Sequence, residues 1–179
     1  MNNLSIKYCC AFLLVVTNGL LATEPTGKQH LVVFLVRHAD KADSSEDAPL
    51  SSDGTKRSAE LSRVLADSKL QHVHSTDFVR TRATANAVAA RHGLKVKVYD
   101  RRNILPFVKS MREVGGRHLV VGHSSSLAET IRSLGGGPID RIDVAAEYDR
   151  LYVVTVDSSG TANTVLLRYG VPFKRRSKN

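Results

Sequence analysis

Two histidines and two arginines occupy positions from which they can act on one small ligand. Arg37-His38 closes the apolar run Leu31-Val32-Val33-Phe34-Leu35-Val36, and Gly122-His123 closes a second run, His118-Leu119-Val120-Val121. Uninterrupted runs of this kind read as strands buried on both faces of a parallel sheet. Ligand crevices of open α/β sheets lie just past the carboxyl ends of such strands. Between the two runs, the short strand pattern His72-Val73-His74 leads into Ser75-Thr76-Asp77-Phe78-Val79-Arg80-Thr81, with Arg80 on the first turns of a helix. Two guanidinium forks facing one ligand suit a phosphate or carboxylate, which they bind bidentately. An imidazole among cations is held neutral, and a neutral imidazole can attack phosphorus in line to give a phosphohistidine. The second imidazole, when protonated, would stabilise the equatorial oxygens. Such chemistry is mostly positioning and charge stabilisation, and it calls for no metal and no cofactor.

Three segments carry a family resemblance: FLVRHADKAD (34–43), STDFVRTRATA (75–85) and VVGHSSS (120–126). Together, in this order and spacing, they resemble the histidine phosphatase superfamily, the phosphoglycerate-mutase-like group, over residues 31 to 169. The form of the first and last motifs is most similar to small bacterial members, among them the phosphohistidine phosphatases. The resemblance implies an α/β three-layer sandwich, a mostly parallel central sheet with helices on both faces. It implies that His38 is the phosphorylated nucleophile and that Arg37, Arg80 and His123 clamp the phosphoryl group. Many members also supply an acidic residue to protonate the leaving group, often directly after the second histidine. Here Ser124 stands in that place. Asp100, after Val96-Lys97-Val98-Tyr99, is the best-placed substitute, with Glu129, Asp40 and Asp43 behind it. Without such an acid, substrates with good leaving groups, such as phosphohistidine or acyl phosphates, are favoured.

The elements needed to place these groups follow from the pattern. A loop rich in Ser, Asp and Glu (43–53) leads to a helix capped by Ser51 or Ser52, with Ala59, Leu61 or Ser62, Val64 and Leu65 turned to the core. Further helices are expected over Phe78 to Arg91, Ile104 to Val114 and Ser125 to Leu134, the last broken by Gly135-Gly136-Gly137-Pro138. Two closing strands, Leu151 to Val156 and Thr164 to Arg168, flank the turn Asp157-Ser158-Ser159-Gly160. Glu147-Tyr148-Asp149-Arg150 reads as a plain junction before a strand rather than a pocket rim.

With 179 residues the chain makes one domain. Lys7, the apolar stretch Cys9 to Val16 and Leu20-Leu21-Ala22 read as a signal peptide, too short for a comfortable membrane span. The division is thus 1–22 signal peptide, 23–173 phosphatase domain and 174–179 basic tail, with a periplasmic or secreted location. Both cysteines, Cys9 and Cys10, lie in the signal segment, so the mature domain has no disulfide option. The net charge of +9 falls to +8 without Lys7, and four of those charges sit in Lys174-Arg175-Arg176-Ser177-Lys178. That tail reads as a solvated end, or more sharply as a weak tether to an anionic membrane surface. Aromatic residues are not interleaved with the basic ones, which speaks against a nucleic-acid partner; the expected partner is a phosphorylated small molecule or phosphoprotein substrate.

Other readings fare less well. His72 and His74 share one face of a strand, as some zinc sites begin, but no third ligand has recognisable spacing, and they read as surface or packing residues. Arg82 reads as solvent-facing. The triple glycine lacks the lysine of a phosphate loop, and no serine-hydrolase elbow exists. The remaining alternatives are a phosphomutase and a non-catalytic protein that binds phosphorylated ligands.

Overall fold

The computed structural model describes residues 30–174. Residues 1–22, expected to be a signal peptide, and all of the basic tail except Lys174 lie outside the described residues. Among the described residues no helix is long and apolar enough to cross a membrane.

The first strand, β1 (Leu31–Arg37), is covered on both sides, which is why its sequence has no polar alternation. Leu31, Val33 and Leu35 pack into one core with Val120, Leu127 and Ile131. Val36 packs into the other with Leu61, Val88 and Leu119. The chain then alternates through α1 (Ser52–Val64), β2 (His72–Ser75), α2 (Val79–Arg91), β3 (Val96–Val98), α3 (Ile104–Val114), β4 (Gly116–Gly122) and α4 (Ser124–Ser133), and ends with β5 (Arg150–Val156) and β6 (Ala162–Arg168). The six strands form one sheet in the order β3-β2-β4-β1-β5-β6. The four on the β3 side run parallel, and β5 and β6 add antiparallel neighbours. Helices α1 and α2 pack on each other over one face, and α3 and α4 over the other. This is the expected three-layer sandwich.

Register, rather than the strands alone, brings the two histidines together. Arg37 pairs with Gly122 across the β1–β4 ladder, and the ladder runs one step further, with the His38 N–H donating to the Gly122 carbonyl at 2.9 Å. The next residue on each strand is a histidine. The chain leaves β1 toward one helical layer and β4 toward the other, so the two histidines flank the topological switch point of the sheet.

Helix α1 departs from the expected face at two positions, Ala59 and Val64. Ala59 and Val64 are exposed, Val64 by 41%, while Ser58, Leu61, Ser62 and Leu65 are buried. Leu61, Ser62 and Leu65 are buried as expected, and Ser58 rather than Ala59 or Val64 completes the stripe because the buried serines are satisfied internally. The Ser58 hydroxyl donates to the Gly54 carbonyl at 2.7 Å, and Ser62 accepts from Arg91 Nε at 3.1 Å. The start of α1 also rests directly on the loop that carries His38. The Asp40 carbonyl accepts from the Ser51 N–H at 2.9 Å, and a Cβ on Gly54 would stand 2.0 Å from that carbonyl oxygen. Gly54→Ala is therefore expected to destabilise the fold by about 1–3 kcal/mol through overpacking, although alanine is the better helix former. Urea unfolding measures this, and a gain in stability would show that helix and loop can part without cost.

Candidate active site

His38 is almost fully buried, and its Nδ1 lies 2.8 Å from the Ala39 carbonyl oxygen. A carbonyl only accepts, so Nδ1 carries the proton and Nε2 keeps its lone pair. The turn is pinned from behind: the Ala39 N–H donates to Thr84 Oγ1 at 3.0 Å, and that hydroxyl donates to the Arg80 carbonyl at 2.8 Å. Burial, then the charges of Arg37 and Arg80, push His38 down to about 3, so it is neutral at physiological pH.

The His123 ring stands 5.4 Å from that of His38, tilted by 65°. Its Nε2 lies 3.0 Å from Thr76 Oγ1. The Thr76 hydroxyl donates onward to Thr81 Oγ1 at 3.0 Å, and Thr81 in turn donates to the Thr76 and Phe78 carbonyls. The Thr76 proton is thus committed, and Nε2–H of His123 is the donor between the two. Burial and the charges of Arg80, Arg101 and Arg37 push His123 down to about 4. A bound phosphate dianion would offset those cations and favour the protonated form. Gly122 has no room for a side chain, since a Cβ would lie 2.7 Å from both Ser126 Oγ and the Tyr99 hydroxyl. Ser126 Oγ accepts from the His123 N–H at 3.0 Å and so fixes the start of α4.

Arg37 is held by a loop more than a hundred residues away. Its Nη1 donates to the Asp143 and Glu147 carbonyls at 3.4 and 3.2 Å, and its Nη2 to the Val144 carbonyl at 2.7 Å. Its guanidinium lies over the Tyr148 ring at 4.1 Å, and Tyr148 also abuts His38 at 5.8 Å between ring centroids. The loop is braced by Glu147, buried and paired with Arg150 at 2.6 Å and Arg168 at 3.0 Å, while Asp149 holds Arg168 at 2.7 Å. Segment 147–150, expected as a plain junction, is therefore the support that aims Arg37. Lysine cannot reproduce a fork that meets several carbonyls while stacking on a ring. Arg37→Lys is expected to lower kcat/KM by about 10²–10³-fold, the cost of one oxyanion donor. In steady-state assays a loss below about threefold would mean that a point charge suffices there.

Arg80 is buried, and its Nη1 donates to the Glu46 carbonyl at 2.8 Å, with Asp47 at 3.9 Å. Its Nε has no hydrogen-bond partner, and a phosphate oxygen would satisfy it. Asp47 also caps α2 by accepting from the Val79 N–H at 2.8 Å, so the acidic loop shapes this wall of the site. Arg80 lies over the Phe78 ring at 4.7 Å, Arg101 over the same ring at 5.6 Å, and Phe78 meets His123 edge-on at 4.9 Å. Arg82 faces outward and pairs with Asp77.

Each candidate acid has a settled place. Asp40 accepts from Arg57 Nε at 2.7 Å. Asp43 accepts from the Ser45 N–H at 2.8 Å, and its bonds to Ser45 lower its pKa. Asp100 lines a groove beside Thr76 and Phe78, but it accepts from the Arg102 N–H and Nε at 2.9 and 3.2 Å, which lowers its pKa too. Glu129 is exposed on α4.

Sequence reasoning missed Thr76, Phe78, Tyr148, Glu147 and Arg101. Thr76 and Arg101 follow the ends of β2 and β3, so the strand-end rule that found both histidines could have reached them. Tyr148 and Glu147 had no such signal. His72 and His74 lie away from this site. His74 Nε2 and His118 Nδ1 are 3.0 Å apart, and His118 Nε2 lies 2.8 Å from the Gly115 carbonyl. Among the described residues no cluster of three His, Cys, Asp or Glu side chains has metal-site geometry.

Residues 33–103 match the profile of the histidine phosphatase superfamily, branch 1. No curated protein matches the chain. Among solved structures, the chain is similar to the protein histidine phosphatase SixA complexed with tungstate, at 22% identity, covering 77% of this chain and 97% of that one, with a TM-score of 0.63. It is similar to the alpha-ribazole phosphatase from Shigella flexneri at 16% identity, covering 80% and 100%, with a TM-score of 0.63. A mycobacterial glucosyl-3-phosphoglycerate phosphatase matches at 14% identity, covering 79% and 99%, with a TM-score of 0.61. At these identities the structures speak for a shared fold.

Proposed function

We propose, for a chain whose residues 33–103 belong to the histidine phosphatase superfamily, a phosphatase that works through a phosphohistidine on His38. The observation that carries this reading is the geometry of His38, whose Nδ1 lies 2.8 Å from the Ala39 carbonyl, which places the donated hydrogen there and leaves Nε2 with its lone pair. In the first step Nε2 forms a bond to phosphorus as the bond to the leaving group breaks. In the second, water attacks phosphorus, the bond to Nε2 breaks, and inorganic phosphate leaves with the imidazole restored. The Ala39 carbonyl stabilises the cationic ring while it carries the phosphoryl group. Arg37, Arg80 and a protonated His123 stabilise the transferring oxygens.

The occupied carboxylates favour substrates whose leaving groups need little protonation. Asp40 is engaged by Arg57, and Asp43 and Asp100 accept from donors that lower their pKa and favour the ionised form. Phosphohistidine and aryl phosphates are therefore expected to turn over at least about 10²-fold faster than alkyl phosphates, the size of a general-acid contribution. Comparable rates would mean that one of these acids does serve, and Asp100→Asn would then be the variant to test.

The test of the activity itself is phosphate release from p-nitrophenyl phosphate and from phosphohistidine, with and without EDTA. Turnover unchanged by EDTA supports a metal-independent hydrolase. Phosphate binding without turnover on either substrate favours the non-catalytic phospho-ligand binder. A periplasmic or secreted location is part of the same proposal and rests on residues 1–22.

A further inference from the structure

We propose that Arg101 is a specificity residue that selects substrates carrying a second anionic group, a carboxylate in the simplest case, beside the phosphoryl group. This inference rests on the phosphatase reading and adds to it the class of substrate.

Arg101 follows the end of β3, at the same edge of the sheet as His38, Thr76 and His123. It lies on the wall of the groove lined by Thr76, Asp77, Phe78, Asp100 and Arg102. Its guanidinium stands over the Phe78 ring at 5.6 Å, and that ring is in edge contact with His123 and stacked by Arg80. One aromatic side chain thus joins the phosphoryl site to the cation beside it. The field of Arg101 also reaches the site, since it is among the charges that oppose protonation of His123 and bear on Arg80.

The charge of Arg101 is uncompensated, unlike that of its neighbours. Asp100 is engaged by Arg102 and Asp77 by Arg82, so both acids of the groove are taken. Among the described residues Arg101 forms no ion pair and donates no side-chain hydrogen bond. A phosphate dianion held between Arg37 and Arg80 would leave it unanswered. A planar guanidinium fork matches a carboxylate, and an anion on the substrate placed about one ring's width from the phosphoryl group would meet it. A phosphorylated small acid and a phosphopeptide with a neighbouring acidic residue share this chemistry.

The test compares phenyl phosphate with 3- and 4-carboxyphenyl phosphate, which differ by one carboxylate, in the wild type, Arg101→Gln and Arg101→Lys. The wild type is expected to favour at least one carboxylated substrate by about five- to tenfold in kcat/KM, chiefly through KM, as for a partly exposed charged hydrogen bond. That preference should shrink with added salt. It should collapse to near unity in Arg101→Gln and return in part in Arg101→Lys. A small phosphopeptide pair, with and without an adjacent glutamate, then separates the two sources of the anion. Equal kcat/KM for all three aryl substrates in the wild type overturns the proposal. So does an Arg101→Gln variant that loses activity on each alike, because that pattern marks a field acting on His123 rather than a contact with substrate. A wild type that turns over none of them defeats the phosphatase reading instead. In that event, calorimetric binding of the same three compounds still tests Arg101, with the same preference expected and its absence decisive against it.

Discussion

His38→Ala should abolish turnover, lowering kcat by roughly 10⁴-fold or more, with the remainder set by positioning and charge alone. The expectation follows from the tautomer of His38, which leaves Nε2 unprotonated, whereas Nε2 of His123 carries a proton donated to Thr76. Inorganic phosphate should still bind the variant, since Arg37 and Arg80 are anchored by the 143–148 loop and by Glu46, independently of the imidazole. Calorimetry with phosphate and steady-state kinetics on p-nitrophenyl phosphate check the two halves separately. A variant that keeps a tenth of the activity would show that another group carries the phosphoryl transfer.

The second large effect is on stability against pH. Burial foremost holds His38 and His74 down to about 3, and His118 and His123 down to about 4, against about 6.5 in an unfolded chain. As pH falls below that value, the unfolded chain takes up protons that the folded one refuses. Stability is therefore complete above about pH 6.5 and is lost steadily toward the folded values, by at most about 1.4 kcal/mol per pH unit for each group. The contribution of His74 and His118 is structural. His118 donates from Nε2 to the Gly115 carbonyl and can accept only at Nδ1, where His74 donates. Proton uptake at His118 Nδ1 removes the acceptor and breaks that chain beside His72 and Phe107, while uptake on His74 places a charge in the same buried cluster. Urea midpoints should be flat from pH 8 to 7 and fall steeply between 6.5 and 4.5, before carboxylates titrate. His74→Asn should show a shallower fall. A midpoint unchanged down to pH 4.5 would contradict the neutral, buried state of these rings.

Much of this arrangement was legible in the sequence because the decisive signals are local. The apolar runs ending in Arg37-His38 and Gly122-His123 specify doubly buried strands and place chemistry at their ends. The β1–β4 register makes those ends neighbours, and two runs apolar on both faces carry no alternation from which that register could be read. What escaped depends on contacts distant in sequence or on polar groups satisfied out of sight. Nothing in Glu147-Tyr148 announces that it holds Arg37, because the carbonyls and the Tyr148 ring that meet the guanidinium lie more than a hundred residues away in sequence. Ser58 on the core face of α1 escaped because it counts as polar until its hydrogen-bond partner is known. The pair His72 and His74 found its third member in His118, which the sequence had assigned only to a strand start. Arg101 was passed over in favour of its neighbour Asp100, since a lone exposed arginine has no signature until the ring beneath it is seen.

The most direct measurement is a rapid acid-free quench of the protein with excess p-nitrophenyl phosphate, followed by mapping of any covalent phosphoryl group by mass spectrometry. A burst of p-nitrophenol is expected, with a phosphoryl group on His38, labile in acid and stable in alkali, that is absent in His38→Ala. Steady product formation with no protein-bound phosphoryl group, or with that group on a serine or aspartate, would contradict it.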